Sequence, residues 1–486
     1  MRRLFLAFGA VGLCVGLACA VESTPPANAS SLVEQLGADR YADRETATTA
    51  LENLGAQALD ALRIGAQSEN PEIRDRASIL LGKMRRSGES TLRLTPKRVK
   101  LDYKDTPLGT AINDLKSRTG LNLTLDPNRI ENPLRRVTCE TAELPVWEAL
   151  EVFCVAAGLR ETLSAELDQV KPTGPRRGYT PPPPPPSADA IPVVLIDGKP
   201  EKLAGSRATA VRVVALPPSF PGHKVSLGTG EITLCLDVTP YPGLGWQEIA
   251  GVKITRLIDS AGRLGSAGIE KNVMPMNDPN GNVVFARPGV AIRFDARGDF
   301  ILPDTIPNPR VLLVPLKIAT ASATSLKRLE GSVFGELLVP NQPLIVVSDL
   351  KKNANVAHNG PGELRFTVLE VKEAPGPGGL GMVRVQLESP SIYSVNARRR
   401  GWNAGWPEAP RNISQGNRVE AFDAAGKPFP FTGSGSNDTS DDGINSIQTL
   451  QYSFRPNLGL PTKLVVVGTK SVTVEVPFVL ENVLLP

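Results

Sequence analysis

The stretch Val99-Lys-Leu-Asp-Tyr-Lys-Asp-Thr-Pro107-Leu108 decides the fold of the first half of this chain, because its pattern occurs twice. The second copy begins 38 residues later and reads Val137-Thr-Cys-Glu-Thr-Ala-Glu-Leu-Pro145-Val146. Before the first proline, apolar and polar residues alternate, as in a half-buried strand. After each proline, apolar residues recur at i, i+3, i+4 and i+7, as on one face of a helix. Each copy therefore predicts a strand that runs into a helix.

The residues that flank the two helices indicate where each helix begins and ends. Pro107 and Pro145 suit the first helical position, which needs no N–H donor, and Thr106 is expected to cap the first helix. Gly120 and Gly158 suit the left-handed residue that follows a helix. The two copies together predict an α+β domain over 91–170, with two helices on one face of a sheet.

These residues resemble the short N-terminal (STN-like) domain of secretins and TonB-dependent receptors. The resemblance rests on the Leu101–Leu108 stretch and the helix that follows, and on the block Leu-Pro-Val-Trp-Glu-Ala-Leu150. It covers about 70 residues of the chain. The resemblance implies an exported protein that works through protein–protein contact. It does not imply secretion or transport, because no pore or barrel sequence follows it.

The preceding segment, 31–88, predicts helices. Asn70-Pro71 gives a helix start, and the segments beginning at Arg44 and Pro71 resemble a HEAT-type repeat. A repeat array needs about three units for stability, so one or two units predict a small helical domain.

The second half of the chain predicts β-structure. Six prolines, Pro181 to Pro186, mark 171–190 as an extended linker and spacer between domains. Two all-β, Ig-like sandwiches are expected at 191–310 and 311–486. Three segments share the form apolar-Asp-x-x-Gly-charged and predict hairpin turns; they begin at Ile258, Phe294 and Phe422. The fold class is therefore multidomain: a small all-α unit, an α+β domain and two β-sandwiches.

Residues 1–20 predict a secretory signal peptide. Arg2 and Arg3 precede an apolar run that is too short to span a bilayer, and Ala18-Cys19-Ala20 offers a cleavage pattern. The protein is expected to be exported to the periplasm, the cell surface or the medium. Lipid attachment at Cys19 is the less favoured alternative, because Gly16 stands where a large aliphatic residue is expected. No later segment predicts a transmembrane helix.

The charge and composition argue against nucleic acid as a partner. The net charge is +4, and two of these charges lie in the predicted signal peptide. Aromatic residues make up only 5% of the chain, which disfavours a surface for stacking bases.

No motif for catalysis, a cofactor or a structural metal is found. The two histidines, His223 and His358, fall in predicted loops and lack the spacing of metal ligands. Asp438, Asp441 and Asp442 could bind calcium, but a solvated turn is the favoured interpretation because the spacing differs from an EF-hand.

The most unusual local feature combines three arginines with two tryptophans. It consists of Arg398, Arg399, Arg400, Trp402 and Trp406. Arginine and tryptophan are favoured anchors of binding surfaces, so these residues are candidates for a protein or glycan contact. The alternative is that the tryptophans fold back onto the sandwich.

After removal of the signal, three cysteines remain. Cys139 and Cys154 belong to the second copy of the repeat and could form a disulfide, although two buried free thiols are the favoured interpretation. Cys235 lies in an apolar segment and is expected to be buried.

The sequence predicts a non-enzymatic scaffold of the bacterial cell envelope that binds one or more envelope proteins. As a whole, the chain resembles exported bacterial proteins that join HEAT-type and β domains. Two alternatives remain: a secreted carbohydrate-binding or carbohydrate-active protein that uses Trp402 and Trp406, and an accessory factor of a secretion channel.

Overall fold

The protein is multidomain and is built mainly from antiparallel β-sheets with a few helices. The computed structural model divides into two compact units, 1–88 and 89–486. It describes residues 27–162, 192–220, 223–226, 230–267, 293–294, 300–301, 310–319, 323–361, 364–373, 379–390, 417–430, 432–439, 445–455 and 460–486.

The described part of the first unit is helical, as the sequence predicts. Its elements are α1 (Ala27–Gln35), α2 (Tyr41–Leu54), the 3-10 helix η1 (Gly55–Ala58), α3 (Leu59–Gly65) and the first part of α4 (Pro71–Arg93). Asn70 caps α4, because its side-chain oxygen accepts the N–H of Glu72 at 3.0 Å. A core of small and aliphatic side chains holds the helices together, including Leu36, Leu51 and Leu62.

The second unit begins with an α+β layer, which we define as residues 98–161 and 193–197. Its elements are β1 (Arg98–Pro107), α5 (Leu108–Thr119), β2 (Leu123–Leu125), β3 (Arg136–Pro145), α6 (Val146–Ala157), β4 (Leu159–Glu161) and β5 (Val193–Asp197). Both strand–helix units of the repeat are confirmed, and β1 pairs antiparallel with β3. Gly120 and Gly158 have φ of 76° and 65°, which confirms the left-handed residue after each helix.

The predicted helix starts are wrong by one residue. Pro107 and Pro145 are the N-cap residues, and neither cap makes a side-chain hydrogen bond. The first helical N–H groups instead donate to the backbone of neighbouring segments: Leu108 to Arg135 at 2.9 Å, and Val146 to Lys97 at 3.0 Å. The repeat therefore satisfies its helix starts through tertiary contacts, and the Thr106 side chain is not needed as a cap.

The role expected for 171–190 as a spacer between domains is wrong. The strands on either side of it, β4 and β5, pair with each other, and the N–H of Thr162 donates to the carbonyl of Val194 at 2.8 Å. Strand β5 also pairs with β2, and Val193 and Leu195 lie in the core of the α+β layer. The segment thus connects neighbouring strands of one sheet, and the α+β layer ends at 197 instead of 170.

The first β module comprises 205–340 and 471–485. Its strands are β6 (Gly205–Ser206), β7 (Val211–Ala215), β8 (Lys224–Ser226), β9 (Glu231–Pro240), β10 (Trp246–Asp259), β11 (Ser266–Ala267), the hairpin β12 (Arg293–Phe294) and β13 (Phe300–Ile301), β14 (Val311–Lys317) and the first part of β15 (Ser325–Ser348). One sheet has the order β11-β14-β9-β7-β6, and β8 pairs with β9.

The second β module comprises 341–468. Its strands are the end of β15, β16 (Ala357–Asn359), β17 (Arg365–Lys372), β18 (Gly381–Pro390), β19 (Arg418–Phe422), β20 (Thr432–Thr439), β21 (Asn445–Phe454) and the first part of β22 (Lys463–Leu484). One sheet has the order β16-β17-β18-β21-β20.

Two long strands pass through both modules and pair with each other along nearly their whole length. The ladder begins at Ser325 opposite Leu484 and ends at Ser348 opposite Lys463. The first half of β15 and the second half of β22 contribute Val333 and Val476 to the core of the first module. The other halves contribute Val347 and Val466 to the core of the second.

The two β modules share one topology. The strands β6, β7, β9, β11 and β14 of the first module occupy the same order as β16, β17, β18, β20 and β21 of the second. The sheet shared by the modules has the order β10-β15-β22-β19, in which β10 and β19 hold equivalent edges. The modules are therefore two copies of one arrangement, and each copy extends its last strand into the sheet of the other.

This exchange changes the expected domain boundaries. The division between 191–310 and 311–486 is wrong, because β14 and most of β15 lie in the first module. The C-terminal half of β22 returns to the first module as well, where Phe478 and Leu480 are buried. Long-range pairing of this kind leaves no local mark in the sequence.

The Asp-x-x-Gly turns occupy equivalent places in the two modules. After β10, Oδ1 of Asp259 accepts the N–H groups of Ala261 and Arg263 at 3.0 and 2.8 Å. After β19, Oδ1 of Asp423 accepts those of Ala425 and Lys427, both at 2.9 Å. These two turns are confirmed. The third segment lies between the paired strands β12 and β13, and its residues 295–299 are outside the described part of the chain.

Candidate interaction surface

Helix α6 has two buried faces and one exposed face. The predicted stripe, Val146, Ala149, Leu150 and Phe153, packs in the core of the α+β layer. Trp147 and Cys154 are also buried, although they lie off this stripe. These two residues form a second buried face of α6, and the first β module packs on it.

The exposed face of α6 carries an apolar patch. Val152 and Val155 are 38% and 64% exposed, one helical turn apart. Val155 also lines a shallow hollow with Gly158, Gly198, Lys199 and Pro200. We call Val152, Val155 and Pro200 the α6 patch. A contiguous exposed apolar patch is a candidate contact surface.

A partly buried ion pair between β4 and β7 lies beside α6. Arg212 donates to both carboxylate oxygens of Glu161, each at 2.6 Å. The same guanidinium lies 4.7 Å from the ring centroid of Trp147, and the indole N–H donates to the carbonyl of Ala210 at 3.4 Å. One arginine therefore contacts both the helix and the last strand of the α+β layer before the proline-rich segment.

The electrostatics of the pair follow from its burial. Burial by itself would raise the pKa of Glu161, but the charge and hydrogen bonds of Arg212 outweigh it, and Arg310 and Arg207 add to them, so this pKa is lowered. Burial opposes the charge on Arg212 as well, but Glu161 raises its pKa. Both groups are charged at neutral pH.

A second ion pair and a polar network surround the first. Nε of Arg207 lies 3.0 Å from Glu151 on α6. Thr239 on β9 is fully buried, accepts a hydrogen bond from Arg212 at 3.3 Å and donates to Asp237 at 2.5 Å. The α+β layer and the first β module are thus joined by directional bonds as well as by apolar packing.

The three cysteines in the described part of the chain, Cys139, Cys154 and Cys235, are free and buried. Burial raises the pKa of Cys154 and that of Cys139, so both thiols are protonated at neutral pH. The favoured interpretation of Cys139 and Cys154 as buried hydrophobic residues is confirmed, and the expected burial of Cys235 is confirmed as well.

The two histidines lie in different surroundings, and both were considered as metal ligands. Nδ1 of His223 accepts the N–H of Cys235 at 3.1 Å, and its Nε2 lies 3.0 Å from the carbonyl oxygen of Pro217. His358 was expected in a loop but lies in β16, paired with Phe366. Within the described ranges, no three His, Cys, Asp or Glu side chains come together in a way that could hold a metal ion.

The residues singled out as binding candidates fall largely outside the described residues. These are Arg398, Arg399, Arg400, Trp402 and Trp406, together with the calcium candidates Asp441 and Asp442. Asp438 lies in β20, and its backbone pairs with Ile447. The predicted signal peptide, including Cys19, and the segment 171–190 are also outside the described residues.

The ion pair of Arg212 and Glu161 was not found from the sequence. Its two residues are 51 positions apart, on either side of the proline-rich segment. One local signal was present, since Trp147 and Cys154 lie seven residues apart off the predicted stripe. This spacing is that of a second helical face.

Comparisons with protein-family models, with curated proteins and with solved structures find no match to this chain. No helix in the described part of the chain is long and apolar enough to cross a membrane.

Proposed function

We propose that this chain is an exported, non-enzymatic scaffold of the bacterial cell envelope that holds a protein partner against its α+β layer. The observation that carries the proposal is the continuous ladder of β15 and β22. Because both strands enter both cores, the two β modules cannot turn independently without breaking the ladder. Such a frame suits a protein that holds a partner in place.

The proposal places the contact at the α6 patch. Val152 and Val155 are exposed on a helix whose Trp147 packs against Arg212 of the first β module. A fixed surface loses little conformational entropy when it binds, which favours affinity. We also propose that the α+β layer is an STN-like domain, that the helices of the first unit are HEAT-like and that the two β modules are Ig-like sandwiches. The resemblance in sequence supports the first two assignments.

The carbohydrate-binding alternative has one observation in its favour. The connection between β9 and β10 is five residues, 241–245, whereas the equivalent connection between β18 and β19 is the 27-residue segment 391–417. This segment contains Trp402 and Trp406. An expanded connection in one of two equivalent modules is typical of an added function.

Co-sedimentation with isolated envelopes tests the proposal. Purified protein, residues 21–486, is mixed with envelope fragments that were pretreated with protease, with periodate to oxidise glycans, or with neither. The proposal expects protease alone to abolish binding and Val155→Glu to weaken it about tenfold or more. The matched control is Leu264→Glu, which changes a side chain of similar exposure in the first β module.

Two results would contradict the proposal. Binding that survives protease but is lost after periodate and in Trp402→Ala/Trp406→Ala would favour the carbohydrate alternative. If Val155→Glu leaves binding unchanged, the α6 patch is not the contact surface. Co-purification with a secretin would favour the accessory-factor alternative.

A further inference from the structure

The free edges of the β-sheets differ in how they are protected against pairing with another strand. An unpaired strand edge presents N–H and C=O groups that bind any extended chain, and proteins usually shield such edges with bulges, charges, proline or short strands. Several edges of the described sheets carry such protection. The edge of β20 carries little of it.

Other edges are shielded in several ways. The ladder of β10 shifts register four times along its pairing with β15. Beyond the region paired with β19, β22 carries Pro477, and the N–H of Glu475 donates to Oγ of Ser90 at 2.8 Å. The edge strands β6 and β11 have two residues each, and β16 has three.

Strand β20 is eight residues long and pairs with β21 without any register shift, from Thr432 opposite Ser453 to Thr439 opposite Ser446. In the described part of the chain it has no neighbour on its other side. Its sequence, Thr-Gly-Ser-Gly-Ser-Asn-Asp-Thr, has no proline and one charged residue. The equivalent strand of the first module, β11, has only two residues among those that the structure describes.

We propose that β20 pairs antiparallel with β20 of a second copy of this chain, so that two five-stranded sheets form one continuous sheet. The two-fold axis passes midway between Gly435 of one copy and Gly435 of the other and is perpendicular to the sheet. Odd-numbered residues then lie opposite odd-numbered residues, and even-numbered opposite even-numbered. This register keeps the core face of each sheet on the same side.

The sequence of β20 is compatible with itself in this register. Gly435 lies opposite Gly435 of the second copy, Ser434 opposite Ser436, and Asp438 opposite Thr432. No like charges face each other, and the residues at the centre are small. Because like charges directly opposite destabilise a strand pair, this register has no electrostatic cost of that kind. A strand of charged or bulky residues would not pair with itself in this way.

Sedimentation equilibrium of purified protein, residues 21–486, tests the inference. We expect a dimer at micromolar concentrations. Ser434→Lys/Ser436→Lys should raise its dissociation constant about tenfold or more, because the lysines would face each other across the new ladder. Positions 434 and 436 pair with Gln451 and Thr449. They alternate along the strand with the positions that pair with Leu450 and Tyr452, which pack on the core.

Two further variants control the experiment. Gln247→Lys/Thr255→Lys places the same charges at exposed positions on the bulged edge strand β10 and should leave the dimer intact. Ser434→Cys/Ser436→Cys should form disulfides between chains under mild oxidation. A monomer at about 100 µM, well above the micromolar range in which the dimer is expected, or a dimer that the lysines at 434 and 436 do not weaken, would overturn the inference. Either result is independent of envelope binding.

Discussion

Arg212 and Glu161 join two parts of the chain that are separated by the proline-rich segment. The guanidinium donates two hydrogen bonds of 2.6 Å to the carboxylate, and its central carbon lies 4.7 Å from the ring centroid of Trp147. The pair fixes the α+β layer to the first β module. Since the proposed contact surface is on α6, the stability of this pair bears directly on the proposed function.

We expect Glu161→Gln to lower the free energy of unfolding by about 2 kcal/mol, because it leaves the partly buried charge of Arg212 without its hydrogen-bonded carboxylate. Denaturant unfolding monitored by circular dichroism measures the change. Glu481→Gln, which removes the exposed partner of Arg328, is the matched control and should cost less than about 1 kcal/mol. Equal effects at the two sites would contradict this account of the pair.

The double variant Glu161→Leu/Arg212→Met should be more stable than Glu161→Gln. Replacing both members of a buried ion pair by apolar side chains leaves no uncompensated charge, so the loss is smaller than that of breaking the pair. Differential scanning calorimetry of both variants gives the comparison. A double variant less stable than the single one would mean that packing around Arg212, and not its charge, dominates.

The pair also predicts loss of stability in acid. The pKa of Glu161 is lowered in the folded protein, so the unfolded chain holds this proton more tightly than the folded chain does. The stabilisation is complete above the ordinary glutamate pKa of about 4.3 and is lost as the pH falls through the folded-state pKa. The difference in Tm between the parent protein and Glu161→Gln should therefore shrink between pH 6 and pH 3. A difference that does not change with pH would contradict the assignment.

Gly335 is required where Trp246 packs across the ladder. A Cβ atom at Gly335 would overlap the buried indole ring of Trp246. We expect Gly335→Ala to cost about 2–3 kcal/mol, as overpacking in a core does. Gly109→Ala in α5 is the control: nothing lies near its Cβ position, and alanine should stabilise the helix by about 0.5–1 kcal/mol. Thermal unfolding of both variants tests the prediction.

The two Asp-x-x-Gly turns should respond alike to substitution. Asp259→Ala and Asp423→Ala each remove an oxygen that accepts two backbone N–H groups. Each change should cost about 1–2 kcal/mol, and Asp→Asn, which keeps an acceptor oxygen, should cost less. If one turn proves essential and the other neutral, the equivalence of the two modules does not extend to their energetics.

Local features of this fold were predictable from the sequence, because short-range rules govern them. The repeated strand–helix unit, the left-handed Gly120 and Gly158 and the turns at Asp259 and Asp423 depend on residues a few positions apart. The helix starts failed by one residue, since their N–H groups find partners on Arg135 and Lys97, which lie far away in sequence.

Long-range pairing was not predictable for the same reason. Nothing near Val193 indicates that it pairs with Leu123 across the proline-rich segment. Nothing near Phe478 shows that it returns to the first module, where it pairs with Gly331. The candidate surface was missed because it depends on Glu161 meeting Arg212, although Trp147 and Cys154 marked the second buried face of α6.

Disulfide trapping tests the exchange of strands between the two β modules. In protein of residues 21–486, Glu330→Cys/Val479→Cys and Ser348→Cys/Lys463→Cys place cysteines opposite each other at the two ends of the ladder. We predict that both pairs form intramolecular disulfides, as mapped by mass spectrometry, whereas the mismatched pair Glu330→Cys/Lys463→Cys does not. If the 348–463 pair forms a disulfide and the 330–479 pair does not, the last strand does not return to the first module and the claim is wrong.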